Sequence, residues 1–224
     1  MADQVSFKTR VLNTIIQCAK QYNAFYVEQN HLLVSDAFKK KPYYIIQAEK
    51  DNYLHLTGVS TSLSAGDFFD KAMDGSLAES DIQLITHGKN EKDSKGTIRQ
   101  KIKNLPSVTS TVDRSCIVQE DFKRNAVLCT FASANAQCTV GFIATPKLVR
   151  PKSLLNGNVV DPAQSAPIKL ALAKTRSEEK YSSIEIGSID DIADNLTMIR
   201  EYLSESLIAQ AEAILQQRSE TNDA

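Results

Sequence analysis

The chain has 224 residues and a formal net charge of −1, and 42% of its residues are hydrophobic and 24% charged. This size and composition predict a soluble globular protein with a substantial hydrophobic core. The nearly balanced charge excludes a protein that coats nucleic acid through bulk positive charge, but it is compatible with a local basic cleft.

The sequence lacks the segments and motifs that indicate a membrane protein or a cofactor enzyme. No apolar run reaches the roughly 18 residues needed to span a bilayer, and residues 1–4 lack the basic start of a secretory signal. The four cysteines form no CxxC pair, and the P-loop, GxGxxG, HExxH and GxSxG motifs are absent. We therefore expect a cytoplasmic protein with no membrane partner, no cofactor and no metal.

Hydrophobic periodicity predicts the first elements of the chain. Residues 4–22 carry apolar side chains at helical spacing and predict an amphipathic helix, with Asp3 as its N-cap. Residues 31–35 and 43–48 predict short strands. The apolar stripe of the helix must pack on another element.

The most informative stretch is residues 53–59, which read Tyr-Leu-His-Leu-Thr-Gly-Val. Its alternation predicts a strand that forms a hairpin with residues 43–48. Tyr53, His55 and Thr57 would then share one strand face, where next neighbours lie about 7 Å apart, so that one small ligand would contact all three. The competing interpretation is a buried, hydrogen-bonded histidine on an ordinary strand.

Three helices are predicted after this stretch. They cover residues 64–72 with a capping box, residues 76–85 with an end near His87, and residues 97–105 before Pro106. Residues 89–103 are the most basic window in the chain. Such a window is either a solvated helix face or a phosphate-binding rim.

Beyond residue 115 the chain is rich in β-forming residues. A long loop is predicted at residues 147–167, and in the strand that follows it apolar side chains alternate with Lys169, Ala171 and Ala173. A face of small residues either admits a closely packed helix or leaves room for a ligand. The strands predicted in this half are residues 116–118, 126–131, 138–144, 168–173 and 181–186.

A single long helix is predicted from Ser188 onward. Acidic residues in its first turns suit the helix dipole, and an apolar stripe runs from Ile192 to Ile214. Because the stripe is long for a small domain, we expect part of it to pack against another copy of the chain in a homo-oligomer.

These elements together predict one α+β domain over residues 1–224, in which an antiparallel sheet is flanked by N-terminal and C-terminal helices. The sheet is expected to be antiparallel because its strands follow each other without the helical crossovers that parallel pairing needs.

Six short segments resemble parts of a known family. They are Tyr-Tyr-Ile-Ile at residues 43–46, His-Leu-Thr-Gly-Val at 55–59, Phe-Phe-Asp at 68–70, Ala-Glu-Ser-Asp-Ile at 78–82, Ala-Leu-Ala-Lys at 171–174 and Lys-Tyr-Ser-Ser-Ile at 180–184. Together they resemble a phage-associated family of Barnase–EndoU–colicin–RelE-like nucleases. The resemblance covers about residues 32–186, which leaves residues 1–31 and 187–224 as helical additions. It implies N-terminal helices on a four-stranded antiparallel sheet.

The resemblance implies a metal-independent endoribonuclease of the toxin or phage-effector type, with RNA as its substrate and a neutralising protein as a further partner. RNA cleavage by acid–base catalysis needs a base for the ribose 2′-OH, an acid for the leaving 5′-oxygen and cations for the phosphate. His55 and Thr57 carry over from the family pattern as catalytic residues, and Tyr53 joins them through the predicted strand face. The candidate phosphate-binding residues are Arg99, Lys101, Lys103, Lys169 and Lys174.

Two other functions are compatible with these residues. The chain would then be a catalytically silent binding or regulatory protein of the same fold, or a small-molecule-binding α+β protein with its pocket at His55. RNA cleavage that is insensitive to EDTA separates the nuclease from both. A single well-placed histidine leaves the second proton-transfer group of a nuclease unassigned.

Overall fold

The computed structural model describes residues 5–85, 90–146 and 148–222, and it shows the predicted α+β class. The helices lie in the first half and at the C-terminal end, on either side of a β-rich segment. Their bounds are α1 (Phe7–Tyr22), α2 (Asn52–Thr57), α3 (Ala65–Asp74), α4 (Glu91–Asn104), α5 (Ile189–Ile199) and α6 (Glu205–Asn222).

Most of the strands follow α4 in the chain. Those of the described residues are β1 (Gln29–Ser35), β2 (Tyr43–Ile46), β3 (Ile117–Glu120), β4 (Lys123–Arg124), β5 (Val127–Leu128), β6 (Phe131–Ala134), β7 (Cys138–Ala144), β8 (Val149–Asn156), β9 (Ser165–Thr175) and β10 (Ser183–Ile186).

The main sheet closes on itself, so the prediction of a simple antiparallel sheet is wrong. Its strands follow the order β1-β2-β8-β7-β6-β3-β9, and β9 pairs again with β1, which makes a seven-stranded barrel within the described part of the chain. The long strand β9 makes this closure possible. One of its edges pairs with β1, while the other pairs with β3 at residues 165–167 and with β10 at residues 171–173.

One junction of the barrel is parallel and very short. β2 and β8 pair only at Ile46 and Val149, whereas the other junctions of the barrel are antiparallel. The sequence predicts a long loop here because Pro151 interrupts the strand pattern of β8. In the structure, the pairing of β7 with β8 shifts its register at this proline. The missed strand is the one that completes the barrel.

Two of the hydrophobic cores in the described part of the chain lie on opposite faces of the barrel wall at β1. Side chains of β1 show the division, since Leu33 faces a first core with α1, α2 and α3, whereas Leu32 and Val34 face a second core with α5 and α6. This division follows from the alternation of side chains along a strand. The small residue Ala171 lies in the first core, so this part of the small-residue face packs inside the protein.

Some helix boundaries agree with the predictions and others do not. Ser64 caps α3 by accepting a hydrogen bond from the Asp67 N–H, as predicted. The first helix begins later than predicted, with Ser6 as its N-cap, and Asp3 lies outside the described residues. Between residues 76 and 85 only a short 3-10 turn forms, at Glu79–Asp81, and the predicted end near His87 is also outside the described residues.

The predicted single C-terminal helix is two helices. A 3-10 turn at Arg200–Tyr202 separates α5 from α6, and the helices then run antiparallel, with Arg218 on α6 bound to Asp190 and Asp194 on α5. Much of the apolar stripe packs on the protein's own barrel, and association with another copy stays a prediction. Among the described residues, no helix combines the length and the apolar character needed to cross a membrane.

A buried carboxylate holds the turn between β1 and β2. Glu120 accepts hydrogen bonds from the Tyr44 hydroxyl at 2.5 Å and from the backbone N–H groups of Lys39 and Lys40 at 2.8 and 3.0 Å. Burial and the hydrogen bond to Glu120 both raise the pKa of Tyr44, so the phenol stays protonated and keeps donating. The turn and the tyrosine are thus fixed by one side chain.

We predict that Glu120→Ala lowers the free energy of unfolding by about 2–4 kcal/mol, because three donors lose a charged acceptor in a buried place. Urea unfolding monitored by circular dichroism measures this change. Glu179→Ala, at an exposed glutamate, is the matched control and should stay within about 0.5 kcal/mol of the wild type. Equal stabilities of the two variants would contradict the role given to Glu120.

Candidate functional site

The stretch predicted as a strand in a hairpin with residues 43–48 begins as a helix, so that hairpin prediction is wrong. Residues 52–57 form α2, and Gly58 ends it with a φ of 77°. Tyr53, Leu56 and Thr57 are buried together because they lie at helical spacing. A short apolar run fits both periods, which is why its alternation was misleading. The prediction that Tyr53, His55 and Thr57 share a strand face is therefore wrong.

Tyr53 is directed into the protein core. Its hydroxyl donates to the Ile15 carbonyl at 2.6 Å, and its ring lies 4.9 Å from the Tyr22 ring and 5.4 Å from the Phe69 ring. Burial raises the pKa of Tyr53 far above its ordinary value. These contacts make Tyr53 a packing residue between α1, α2 and α3.

Thr57 is also buried, and its hydroxyl serves the backbone. Its Oγ1 donates to the Leu54 carbonyl at 2.8 Å and accepts from the Val59 N–H at 3.3 Å. The side chain therefore stabilises the last turn of α2 and the chain that leaves it.

His55 lies on the opposite, exposed side of α2. It occupies the same helix face as Asn52, because residues three apart are neighbours on a helix surface. Asn52 accepts a hydrogen bond from the Glu49 N–H at 2.9 Å. His55 is thus exposed about one helical turn from the residue that contacts Glu49.

Among the predicted cations, Lys101 contacts the backbone of His55. Its ammonium donates to the His55 carbonyl at the C-terminal end of α2, where positive charge is favourable. Arg99 lies over the Phe7 ring at 5.3 Å, and Lys103 is exposed on α4.

The two lysines on β9 have other partners. Lys169 pairs with Asp36 at 2.7 Å, and Lys174 donates to the Glu178 carbonyl and lies 5.7 Å from the centre of the Tyr181 ring. Neither of these contacts leads to His55.

The other described histidine is structural in its contacts. His31 is fully buried, stacks on Phe25 at 4.2 Å, and uses both ring nitrogens. Its Nε2 donates to the Phe25 carbonyl and its Nδ1 lies 2.8 Å from Glu185 Oε2. The sequence predicted polar neighbours for His55 and did not predict the contact between His31 and Glu185.

The structure assembles a charged group that the sequence did not indicate. Glu49, Arg150 and Arg176, here called the Glu49 cluster, meet at the ends of β2, β8 and β9. Glu49 Oε1 lies 2.8 Å from Arg176 Nη2 and 3.9 Å from Arg150 Nη2. The side chains of Glu49, Arg150 and Arg176 are 38%, 33% and 34% exposed, so solvent and a ligand can reach all three.

The backbone of Glu49 is fixed from both directions. Its carbonyl accepts from the buried Tyr22 hydroxyl at 3.2 Å, while Asn52 accepts from its N–H. Burial raises the pKa of Tyr22, so its hydroxyl stays protonated and keeps donating to this carbonyl. The carboxylate of Glu49 is therefore presented by a preorganised turn.

Arg150 retains a hydrogen-bond donor, and Arg176 is held in place by its contacts. Arg150 Nε is buried and has no hydrogen-bond partner in the described part of the chain. Arg176 donates to the Ala48 carbonyl at 2.8 Å. It also donates to the Gln47 amide oxygen at 2.7 Å, in the amide orientation that satisfies the hydrogen bonds of both groups. A phosphate that binds Arg150 would also meet the guanidinium of Arg176, which its own hydrogen bonds already hold in place.

Local sequence patterns carry no signal for this group. Glu49 follows a strand within a predicted turn, Arg150 lies in the predicted long loop, and Arg176 follows the end of β9. Only the pairing of β2 with β8 and of β9 with β1 brings the three side chains together. Within residues 5–85, 90–146 and 148–222, no three or more His, Cys, Asp or Glu residues form a group that could hold a metal ion.

Comparison with family models gives a match over the larger part of the chain. The sequence model of a family described as phage-Barnase-EndoU-ColicinE5/D-RelE like nuclease4 matches residues 14–144, more than half of the chain. The matched region includes Glu49 and His55 and ends before Arg150 and Arg176, whereas the sequence had suggested coverage to about residue 186. No curated protein and no solved structure matches the chain.

The different positions of Tyr53 and His55 on α2 predict different effects on stability. Tyr53→Phe should lower the free energy of unfolding by about 1 kcal/mol, because a buried hydrogen bond is lost. His55→Ala should change it by less than about 0.5 kcal/mol, because its side chain is exposed. Urea unfolding measures both, and a His55→Ala variant as destabilised as Tyr53→Phe would show that the histidine is structural.

Proposed function

Because the chain belongs to this family of phage Barnase–EndoU–Colicin–RelE-like nucleases, we propose that it is a metal-independent endoribonuclease that cleaves RNA by acid–base catalysis at the Glu49 cluster. The observation that carries the proposal is the partly exposed carboxylate of Glu49 between two guanidinium groups, 2.8 and 3.9 Å away. A base and phosphate-binding cations are thus adjacent.

The proposed reaction is an intramolecular transesterification of RNA, in which the ribose 2′-oxygen displaces the 5′-oxygen from the phosphorus. The Glu49 carboxylate accepts the proton of a ribose 2′-OH, and the 2′-oxygen attacks the adjacent phosphorus. The bond from phosphorus to the 5′-oxygen breaks, and the leaving oxygen takes a proton from an acid. The products are a 2′,3′-cyclic phosphate and a 5′-hydroxyl end.

His55 is proposed as that acid. A histidine can donate a proton near neutral pH, and His55 is exposed on the face of α2 next to Asn52, which binds the Glu49 backbone. Glu49 thereby supplies the second proton-transfer group that the sequence left unassigned. Tyr53 and Thr57 have no part in the proposal, because their hydroxyls donate to backbone carbonyls in the core.

Arg150 and Arg176 are proposed to bind the phosphate. Guanidinium groups hold two phosphate oxygens at once and stabilise the charge that develops on them in the transition state. Fixed cations of this kind supply the positive charge that a metal ion provides in other nucleases. Lys101, beside α2, is a further proposed phosphate contact, whereas Arg99, Lys103, Lys169 and Lys174 lie outside the proposed centre.

We predict that purified protein cleaves RNA in the presence of EDTA, and that Glu49→Gln and His55→Ala each lower the rate by about 10²–10⁴-fold. Gel analysis of a labelled RNA measures the rate. Glu179→Gln is the matched control and should cleave as the wild type does. Full activity of both site variants, with folding verified by circular dichroism, would contradict the proposed centre, and absence of cleavage would favour a silent binding protein.

The phage relationship extends the proposal to a cellular role. An enzyme that cleaves RNA in the cytoplasm would stop growth unless a protein partner neutralised it, so we propose a toxin or effector. Induced expression in a bacterial host should arrest growth and degrade RNA, and Glu49→Gln should abolish both effects at equal protein level. Arrest by both proteins alike would contradict an RNA-cleaving toxin.

A further inference from the structure

A cleft of about 660 Å³ opens beside the β2–β8 junction. It exists because β2 and β8 pair at Ile46 and Val149 alone, so the earlier residues of β2 have no β8 partner in the described part of the chain. We call it the β2–β8 cleft. The residues of its wall that matter here are Lys41, Pro42, Tyr43, Tyr44, Leu148 and Tyr202.

The aromatic walls of the cleft are held in position. The Tyr43 hydroxyl donates to the Tyr202 hydroxyl at 2.9 Å, and the two rings lie 5.3 Å apart at 64°. The ring of Tyr44 is buried against Phe38 and Phe131, so this residue supports the cleft from the core and offers no stacking surface. Tyr202 comes from the turn between α5 and α6, so the C-terminal helices contribute one wall.

The cleft and the Glu49 cluster are neighbours along β2 and β8. One face of β2 carries Tyr43 and Ile45, and Gln47 is the next residue at this alternate spacing. The Gln47 N–H donates to the Val149 carbonyl at 3.1 Å, which extends the pairing of β2 with β8 by one residue. The Gln47 amide contacts Arg176. On the β8 side, Val149 lines the cleft and the next residue is Arg150. One extended ligand would therefore contact both regions.

We infer that the β2–β8 cleft binds the base of a nucleotide next to the cleaved bond of single-stranded RNA. This inference rests on the proposed function. The rings of Tyr43 and Tyr202 provide stacking surfaces for a planar base together with Pro42. Lys41 at the cleft suits another phosphate of the same strand. The occupant is single-stranded because a base in a stacked duplex cannot enter a side cleft without being unpaired.

The chemistry favours a nucleotide over a peptide. The open edge of β2 would accept an extended peptide, but two guanidinium groups at one end and a lysine near the other suit separate phosphates of one strand. Charge complementarity thus selects an RNA strand, whose bases and phosphates alternate along its length.

Binding of a 2′-O-methyl RNA oligomer tests the inference, since this probe lacks the attacking 2′-OH and cannot be cleaved by the proposed route. Tyr202→Ala should weaken binding by about 5- to 100-fold, the usual effect of removing one stacking platform. Tyr202→Phe keeps the ring and should stay within about twofold. Fluorescence anisotropy measures the Kd. Lys41→Ala should weaken binding more than Lys92→Ala does, because Lys92 is an exposed lysine on α4 outside the cleft.

Abasic oligomers test the same point with unaltered protein. A missing base at one position should weaken binding by a similar factor, and Tyr202→Ala should add little to that loss, because both changes remove the same contact. Equal binding of all oligomers by the wild type would overturn the inference. A wild type that distinguishes the oligomers but cleaves no RNA would support the base site while refuting the proposed function.

Discussion

The single parallel contact between β2 and β8 is the constraint on which the rest of the structure depends. Ile46 and Val149 close the barrel there, and because the strands are parallel, β2 runs into this pair while β8 runs away from it. The stagger leaves an open edge on one side, which is the β2–β8 cleft. On the other side it brings Glu49 beside Arg150. A longer ladder would have filled the cleft with backbone hydrogen bonds.

The buried parts of the fold hold this junction in place. Tyr22 on α1 and Asn52 on α2 fix the backbone of Glu49, while Tyr53 and Thr57 secure α2 itself. Glu120 fixes the turn before β2 together with Tyr44. Residues in and around the first hydrophobic core thus position a partly exposed polar surface. The hydroxyl groups of the tyrosines and of Thr57 and the carboxylate of Glu120 make their hydrogen bonds inside the protein. The side chains of the Glu49 cluster are instead partly exposed to solvent.

Local sequence predicted the elements whose signals are local. The α+β class, the cap of α3 by Ser64 and the strand Cys138–Ala144 were predicted from caps and periodicity. The errors arose where tertiary contacts decide. The run around His55 fits a strand and a helix equally, Pro151 concealed β8, and the apolar stripe continued across the break at Arg200–Tyr202. The Glu49 cluster depends on strand pairing between distant residues, so only the three-dimensional structure could assemble it.

The central claim is that a carboxylate and fixed guanidinium groups promote attack by the ribose 2′-oxygen. The most direct measurement is the chemical identity of the new RNA ends, by mass spectrometry of the fragments formed in EDTA. The account predicts 2′,3′-cyclic phosphate and 5′-hydroxyl ends, and no cleavage at a site where the ribose before the bond is 2′-deoxy. Ends with 5′-phosphate and 3′-hydroxyl groups, or cleavage of the deoxy-substituted bond, would contradict it.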